Sequence, residues 1–154
     1  MRLAAVLLSL AVFAIPAFAV HAVAQDEVQE AARDKAAVAN ATDAAIKAAG
    51  KWLAVLDAGK YGESWSEGAG ALRSVVTQAR WEEGLRAVRA PVGAAGARTL
   101  TSSHYTRALP GAPAGEYVIL QYSTDFAGKA GAVETVVPMR EADGSWRVSG
   151  YYIK

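Results

Sequence analysis

The chain contains no cysteine. That excludes disulfide cross-links, thiolate nucleophiles, cysteine metal sites and lipid attachment through a cysteine, so any folded domain here is held by packing alone. Histidine is scarce as well: His21 and His104 are the only two, and a metal site needs several ligands converging on one point. Long repeats and low-complexity tracts are absent. Neither Gly68-Ala69-Gly70 nor Gly111-Ala112-Pro113 has the lysine and spacing of a phosphate-binding loop, and both read as turns. Ser102 and Ser103 lie outside any nucleophile-elbow pattern. Catalytic and metal-binding residues are therefore not assigned, and no cofactor is expected.

The N-terminus does carry a pattern. Met1-Arg2 gives a short positive start, Leu3 to Ile15 is an apolar run, and Pro16 interrupts it. Two small-x-small triplets follow, Ala17-Phe18-Ala19 and Ala22-Val23-Ala24, and charged residues begin at Asp26. This order is that of a cleavable export signal. Cleavage is expected after Ala24, with Ala19 the second choice, giving a periplasmic or secreted protein with no membrane span afterwards. Cleavage there removes Arg2 from the 16 basic residues and none of the 15 acidic ones, so the mature chain has a formal net charge of zero. A nucleic-acid binder shows a basic excess on one face, and that class is set aside.

Residues 25–43, rich in Ala, Asp, Glu and Lys, read as a helical or flexible lead-in. Asn40-Ala41-Thr42 fits the glycosylation sequon and is taken as chance beside a signal of bacterial type. Residues 44–154 are long enough for one core and one α+β domain. Ala45, Ala49, Trp52 and Leu56 recur at helical spacing up to Asp57-Ala58-Gly59. Tyr61 and Trp65 suggest a short second helix. A third starts at Thr77 as N-cap, carries Trp81, Leu85 and Val88 on one stripe, and stops at Pro91 and Gly93. Strands are expected over Arg98–Leu109, Glu116–Phe126, Val133–Glu141 and Ser145–Ile153, separated by Pro/Gly-rich turns. Turns this short impose antiparallel neighbours. The expectation is N-terminal helices packed on a four-stranded antiparallel meander. Ser74-Val75-Val76 is the one candidate for an additional strand between helices.

Trp52-Leu53, Leu56-Asp57, Tyr61, Trp65, Trp81, Arg89-x-Pro91-x-Gly93 and Arg98 form one half of a motif set. Pro110-Gly111-x-Pro113-x-Gly115-Glu116-Tyr117, Glu134 and Trp146-Arg147-Val148-Ser149-Gly150-Tyr151-Tyr152 form the other. From about residue 44 to the C-terminus the chain resembles the bacterial exported family catalogued as domain of unknown function 4019. The resemblance implies no activity. The order of elements is also similar to the cystatin-like and nuclear-transport-factor-like folds, in which a curved sheet and helices often enclose a pocket.

Two sets of residues are candidates for a site. The first is aromatic: Trp65, Trp81, Tyr122 and Trp146 lining a pocket between helices and sheet, suited to a small apolar or sugar-like ligand, with core packing as the alternative use of these rings. The second is charged, namely Glu134 with Arg89 and Arg98, and depends on the register of the last hairpin. If Asp143-Gly144 is a two-residue turn, Ala142 faces Ser145, Glu134 lies opposite Ile153, and Arg140 opposes Arg147. If Ala142-Asp143-Gly144 is a three-residue turn, Glu134 shares the face of Trp146, Val148 and Tyr152 and is buried. A one-residue slip exchanges the faces, and a buried Glu134 needs a cation, Arg89 or Arg98. On this reading the chain is an exported module that binds an unidentified protein or envelope component. The alternatives are a small-ligand binder and, behind it, an acid–base enzyme using Glu134.

Overall fold

The structure, a computed structural model, describes residues 18–154, with side chains from residue 25. Most of the expected export signal, and the side chains around its cleavage site, lie outside the described residues. The chain divides into two compact units, residues 1–36 and 37–154. In the first, the described backbone is helical and the described side chains are exposed. The second holds the packed core.

Among the described residues four helices precede four strands: α1 (Phe18–Asp57), α2 (Tyr61–Ser66), α3 (Gly70–Val75), α4 (Gln78–Arg89), β1 (Ala95–Thr106), β2 (Tyr117–Phe126), β3 (Lys129–Arg140) and β4 (Trp146–Ile153). The strands form one antiparallel sheet in chain order. The expected α+β meander is the fold. Among the described residues no helix is long and apolar enough to cross a membrane.

Alternation along β2 divides the sheet into two faces. Val118, Leu120 and Tyr122 point to the helices and join Ala45, Ala49, Trp52, Leu53, Leu56, Leu85, Val136, Val148 and Tyr151 in the main core. α1 stops where Gly59 takes φ +74°, a left-handed conformation that favours glycine just past a helix end. Ser64, fully buried, fastens the helices together. Its carbonyl accepts the Trp52 indole N–H at 2.8 Å and its hydroxyl accepts that of Trp81 at 3.1 Å.

Three local expectations are corrected. Ser74-Val75-Val76 is not an added strand, because residues 70–75 form α3. Ala69 leads into that helix with its N–H bonded to the Val148 carbonyl at 2.8 Å, and with Ala71 it packs against Tyr117, Val137 and Met139 in a second cluster. The second face of the sheet is therefore covered at this end. On α4, Val88 is 46% exposed and Arg89 is the buried residue. The stripe runs Trp81, Leu85, Arg89 in steps of four.

The third correction concerns the last hairpin, which uses both registers in succession. Next to the turn Arg140 pairs with Trp146, Met139 with Arg147 and Pro138 with Val148; beyond a bulge Val137 pairs with Gly150 and Glu134 with Ile153. Arg140 does not oppose Arg147. Ser149 is the extra residue, and its hydroxyl donates to the Val137 carbonyl at 2.8 Å. The cause is Pro138: in an interior strand a residue without an N–H is accommodated at a bulge.

Candidate functional site

The bulge lets Glu134 lie opposite Ile153 and still face the helices. Its side chain is completely buried, which requires full compensation of its charge. Oε2 accepts from Arg98 Nε at 2.6 Å and from the Thr124 hydroxyl at 2.6 Å. Oε1 accepts from the Tyr151 hydroxyl at 2.5 Å, Arg98 Nη2 at 3.3 Å and Arg89 Nη1 at 3.4 Å.

A second carboxylate completes the arrangement. Asp57 Oδ1 accepts from Arg89 Nη2 at 2.6 Å, and Oδ2 from Arg98 Nη1 at 2.9 Å. Asp57 is the last residue of α1, where a helix dipole disfavours an anion; the two guanidinium groups offset that. Arg89 occupies the last turn of α4, where a cation is favoured. It also donates to the Tyr151 hydroxyl at 3.0 Å and lies 5.0 Å from the Phe126 ring centroid. Two cations and two anions make a neutral quartet that draws residues from α1, α4, β1 and β3, with Thr124 from β2 and Tyr151 from β4.

The neighbours shift one another's protonation. For Arg98, burial alone would lower the pKa, but hydrogen bonds to Asp57 and Glu134 and their charges raise it further. Arg89 follows the same pattern, with Tyr151 and Asp57 outweighing burial. Burial raises the Tyr151 phenol, and the Glu134 carboxylate adds to the rise, because ionising Tyr151 would place two anions in contact. Burial is also the leading cause of the upward shifts at Tyr122 and Tyr117.

The structure thus brings Glu134, Arg89 and Arg98 together and distributes the aromatic candidates. Tyr122 is buried in the core directly opposite Glu134. Trp81 packs against that core with its ring centroid 6.2 Å from Trp52. Trp65 gives its indole N–H to the Val76 carbonyl at 2.9 Å. Tyr152 is on the other face of the sheet, 62% exposed; the bulge puts Tyr151 in the place that the three-residue turn assigned to Tyr152. Asp57, Tyr151 and Thr124 join the site only through the structure. Asp57 and Tyr151 stand inside the quoted motif set, and their polarity next to apolar neighbours was the available signal.

Among the clefts bordered by described residues, two flank the sheet away from the quartet. One, of about 480 Å³, runs between α1 and the start of β4, bordered by Lys47, Lys51, Trp52, Glu67, Trp146 and Arg147. The other, of about 310 Å³, lies on the second face of the sheet between α3 and the Leu109–Pro113 loop, over Tyr117 and Tyr152. Among the described residues no group of three or more His, Asp or Glu side chains is arranged to hold a metal ion.

These features define a class: an α+β domain with helices clasping one face of a four-stranded meander, closed by a neutral charge quartet of which Glu134 and Arg89 are buried. Residues 48–151 match the family described as Protein of unknown function (DUF4019), and the chain belongs to that family. Curated proteins and solved structures yield no match.

Proposed function

We propose that this protein is an exported, non-catalytic binding domain whose target is a component of the cell envelope. The observation that carries the non-catalytic reading is the occupancy of Glu134. Both of its oxygens are taken by five donors of the protein itself. A general base must keep a lone pair for the substrate proton, and this carboxylate holds none facing an open cleft. The motif set around Arg89, Arg98 and Glu134 is then the signature of a scaffold. The charge, apolar run and small-x-small order of residues 1–24 support export.

Binding falls to the surface that the scaffold leaves free. The cleft between α1 and β4 supports this role, with a volume of about 480 Å³, inside the range of roughly 300–1,000 Å³ usual for ligand sites.

The test is co-sedimentation of the purified mature protein with isolated cell-wall material and with envelope membrane vesicles. Retention by one of these, with the material recovered chemically unchanged, is expected. Chemical turnover of envelope material that disappears in Glu134→Gln would overturn the non-catalytic reading. Retention by neither would overturn the envelope target.

A further inference from the structure

Resting on that reading, we propose that the cleft between α1 and β4 binds an acidic saccharide unit of an envelope polysaccharide, with Trp146 as platform and Lys47 and Lys51 as carboxylate partners.

Three of the four tryptophans have committed their indole N–H: Trp52 to Ser64, Trp65 to Val76 and Trp81 to the Ser64 hydroxyl. Trp146 has no such partner among the described residues and is half-buried at the border of the cleft. It offers an apolar ring face together with one free donor. That combination suits a sugar, whose ring presents C–H groups on its faces and hydroxyl oxygens on its edge.

The charges decide between a neutral and an acidic sugar. Lys47 and Lys51 are one helical turn apart on α1 and so share a face. Both are exposed, and neither is among the ion pairs of the described residues. Arg147, also at the border of the cleft, pairs with Met139 and so belongs to the second face of the sheet, away from α1. Glu67 is the single acidic residue bordering the cleft. Two lysines against one glutamate leave a local cationic excess at this cleft. The quartet shows how this fold treats charges it uses internally: it pairs them. The lysines of the cleft are left available.

The experiment follows the Trp146 indole N–H resonance of the intact mature protein while defined probes are added. These are an oligouronate tetramer, the same tetramer with its carboxyls methyl-esterified, the uronate monomer, and inorganic phosphate. The expected result is saturable movement of that resonance with the acidic tetramer, weakened by salt. The esterified tetramer should bind at least about tenfold more weakly, as should the acidic one to Lys47→Ala/Lys51→Ala; tenfold corresponds to roughly 1.4 kcal/mol. Both lysines are exposed, so this variant leaves the core intact. Trp146→Phe keeps a ring and loses both the donor and the reporting resonance, so its affinity is read by calorimetry and should fall between. A tetramer tighter than the monomer points to a polymer, and equal affinity to a free sugar acid; both uphold an acidic saccharide. Equal binding of ester and acid overturns the proposal, as does phosphate binding that matches the tetramer. So does retention on cell-wall material with no response to any saccharide, and in that case the envelope-binding reading survives on its own.

Discussion

The Tyr151 hydroxyl stands 2.5 Å from Glu134 Oε1 and 3.0 Å from Arg89 Nη1, so one phenol links an interior strand, the edge strand β4 and the end of α4. This contact exists because Pro138 forces a bulge at Ser149 that turns Tyr151, and not Tyr152, toward the helices. Through it the sequence of the last hairpin reaches the charge quartet, and through the quartet every element except α2 and α3.

Removing the charge of Glu134 leaves two guanidinium groups, the buried one of Arg89 and the half-buried one of Arg98, facing one carboxylate. Glu134→Gln is expected to destabilise the fold by about 3–5 kcal/mol, the usual cost of breaking a buried ion pair from one side. Urea denaturation reads this directly. A loss below about 0.5 kcal/mol would show that the network contributes little.

Arg89→Lys tests geometry at constant charge. A guanidinium serves Asp57, Glu134 and Tyr151 from two nitrogens at once, whereas an ammonium is a point charge on a flexible stem. Destabilisation of at least about 1.5 kcal/mol is expected, the lower end for hydrogen bonds to charged groups. Stability equal to the native protein would mean that only charge matters at this position.

Tyr151→Phe removes a buried hydroxyl from between Glu134 and Arg89. A loss of about 1.5–3 kcal/mol near neutral pH is expected. The substitution also changes the alkaline limb. The phenol is raised in the folded state and ionises at about 10 when unfolded, so above that pH the unfolded chain has released a proton that the folded one retains. Stability from this group is complete below pH 10 and is lost as pH rises toward the folded pKa. Tyr151→Phe should therefore fall less steeply above pH 10 than the native protein. An identical slope would contradict the shift.

Ser64→Ala isolates the helical fastening from the charges. The Trp52 bond to the Ser64 backbone survives, while the Trp81 indole loses its acceptor. A cost of about 1–3 kcal/mol is expected for the orphaned donor, measured by thermal or urea unfolding. No cost would mean that water replaces the hydroxyl.

Elements governed by periodicity and turn chemistry were legible in the sequence. Ala45, Ala49, Trp52 and Leu56 marked the packed part of α1, Thr77 capped α4, and the Pro/Gly turns separated the strands. α3 was not legible, because its six residues offer too short a period, and its packing on the second face of the sheet comes from Ala69 and Ala71, which carry little local signal. Spacing sets Val88 on the stripe with Trp81 and Leu85, yet a guanidinium with three partners, Arg89, occupies that face. The hairpin register could not be chosen because one register was assumed to run the length of both strands. Pro138, lying within the expected third strand, was the signal for the change. Glu134 with its two arginines was readable as a set; Asp57 and Tyr151 entered it only through the geometry.

The most direct test of the scaffold role is a double-mutant cycle between Glu134 and Arg89, using Glu134→Gln, Arg89→Met and the pair, each unfolded in urea. A coupling of about 2 kcal/mol or more is expected, within the range of roughly 0.5–3 kcal/mol for residues sharing one network, with the double variant losing much less than the two single losses combined. Additive losses, or single variants as stable as the native protein, would contradict the claim that the quartet holds this fold together.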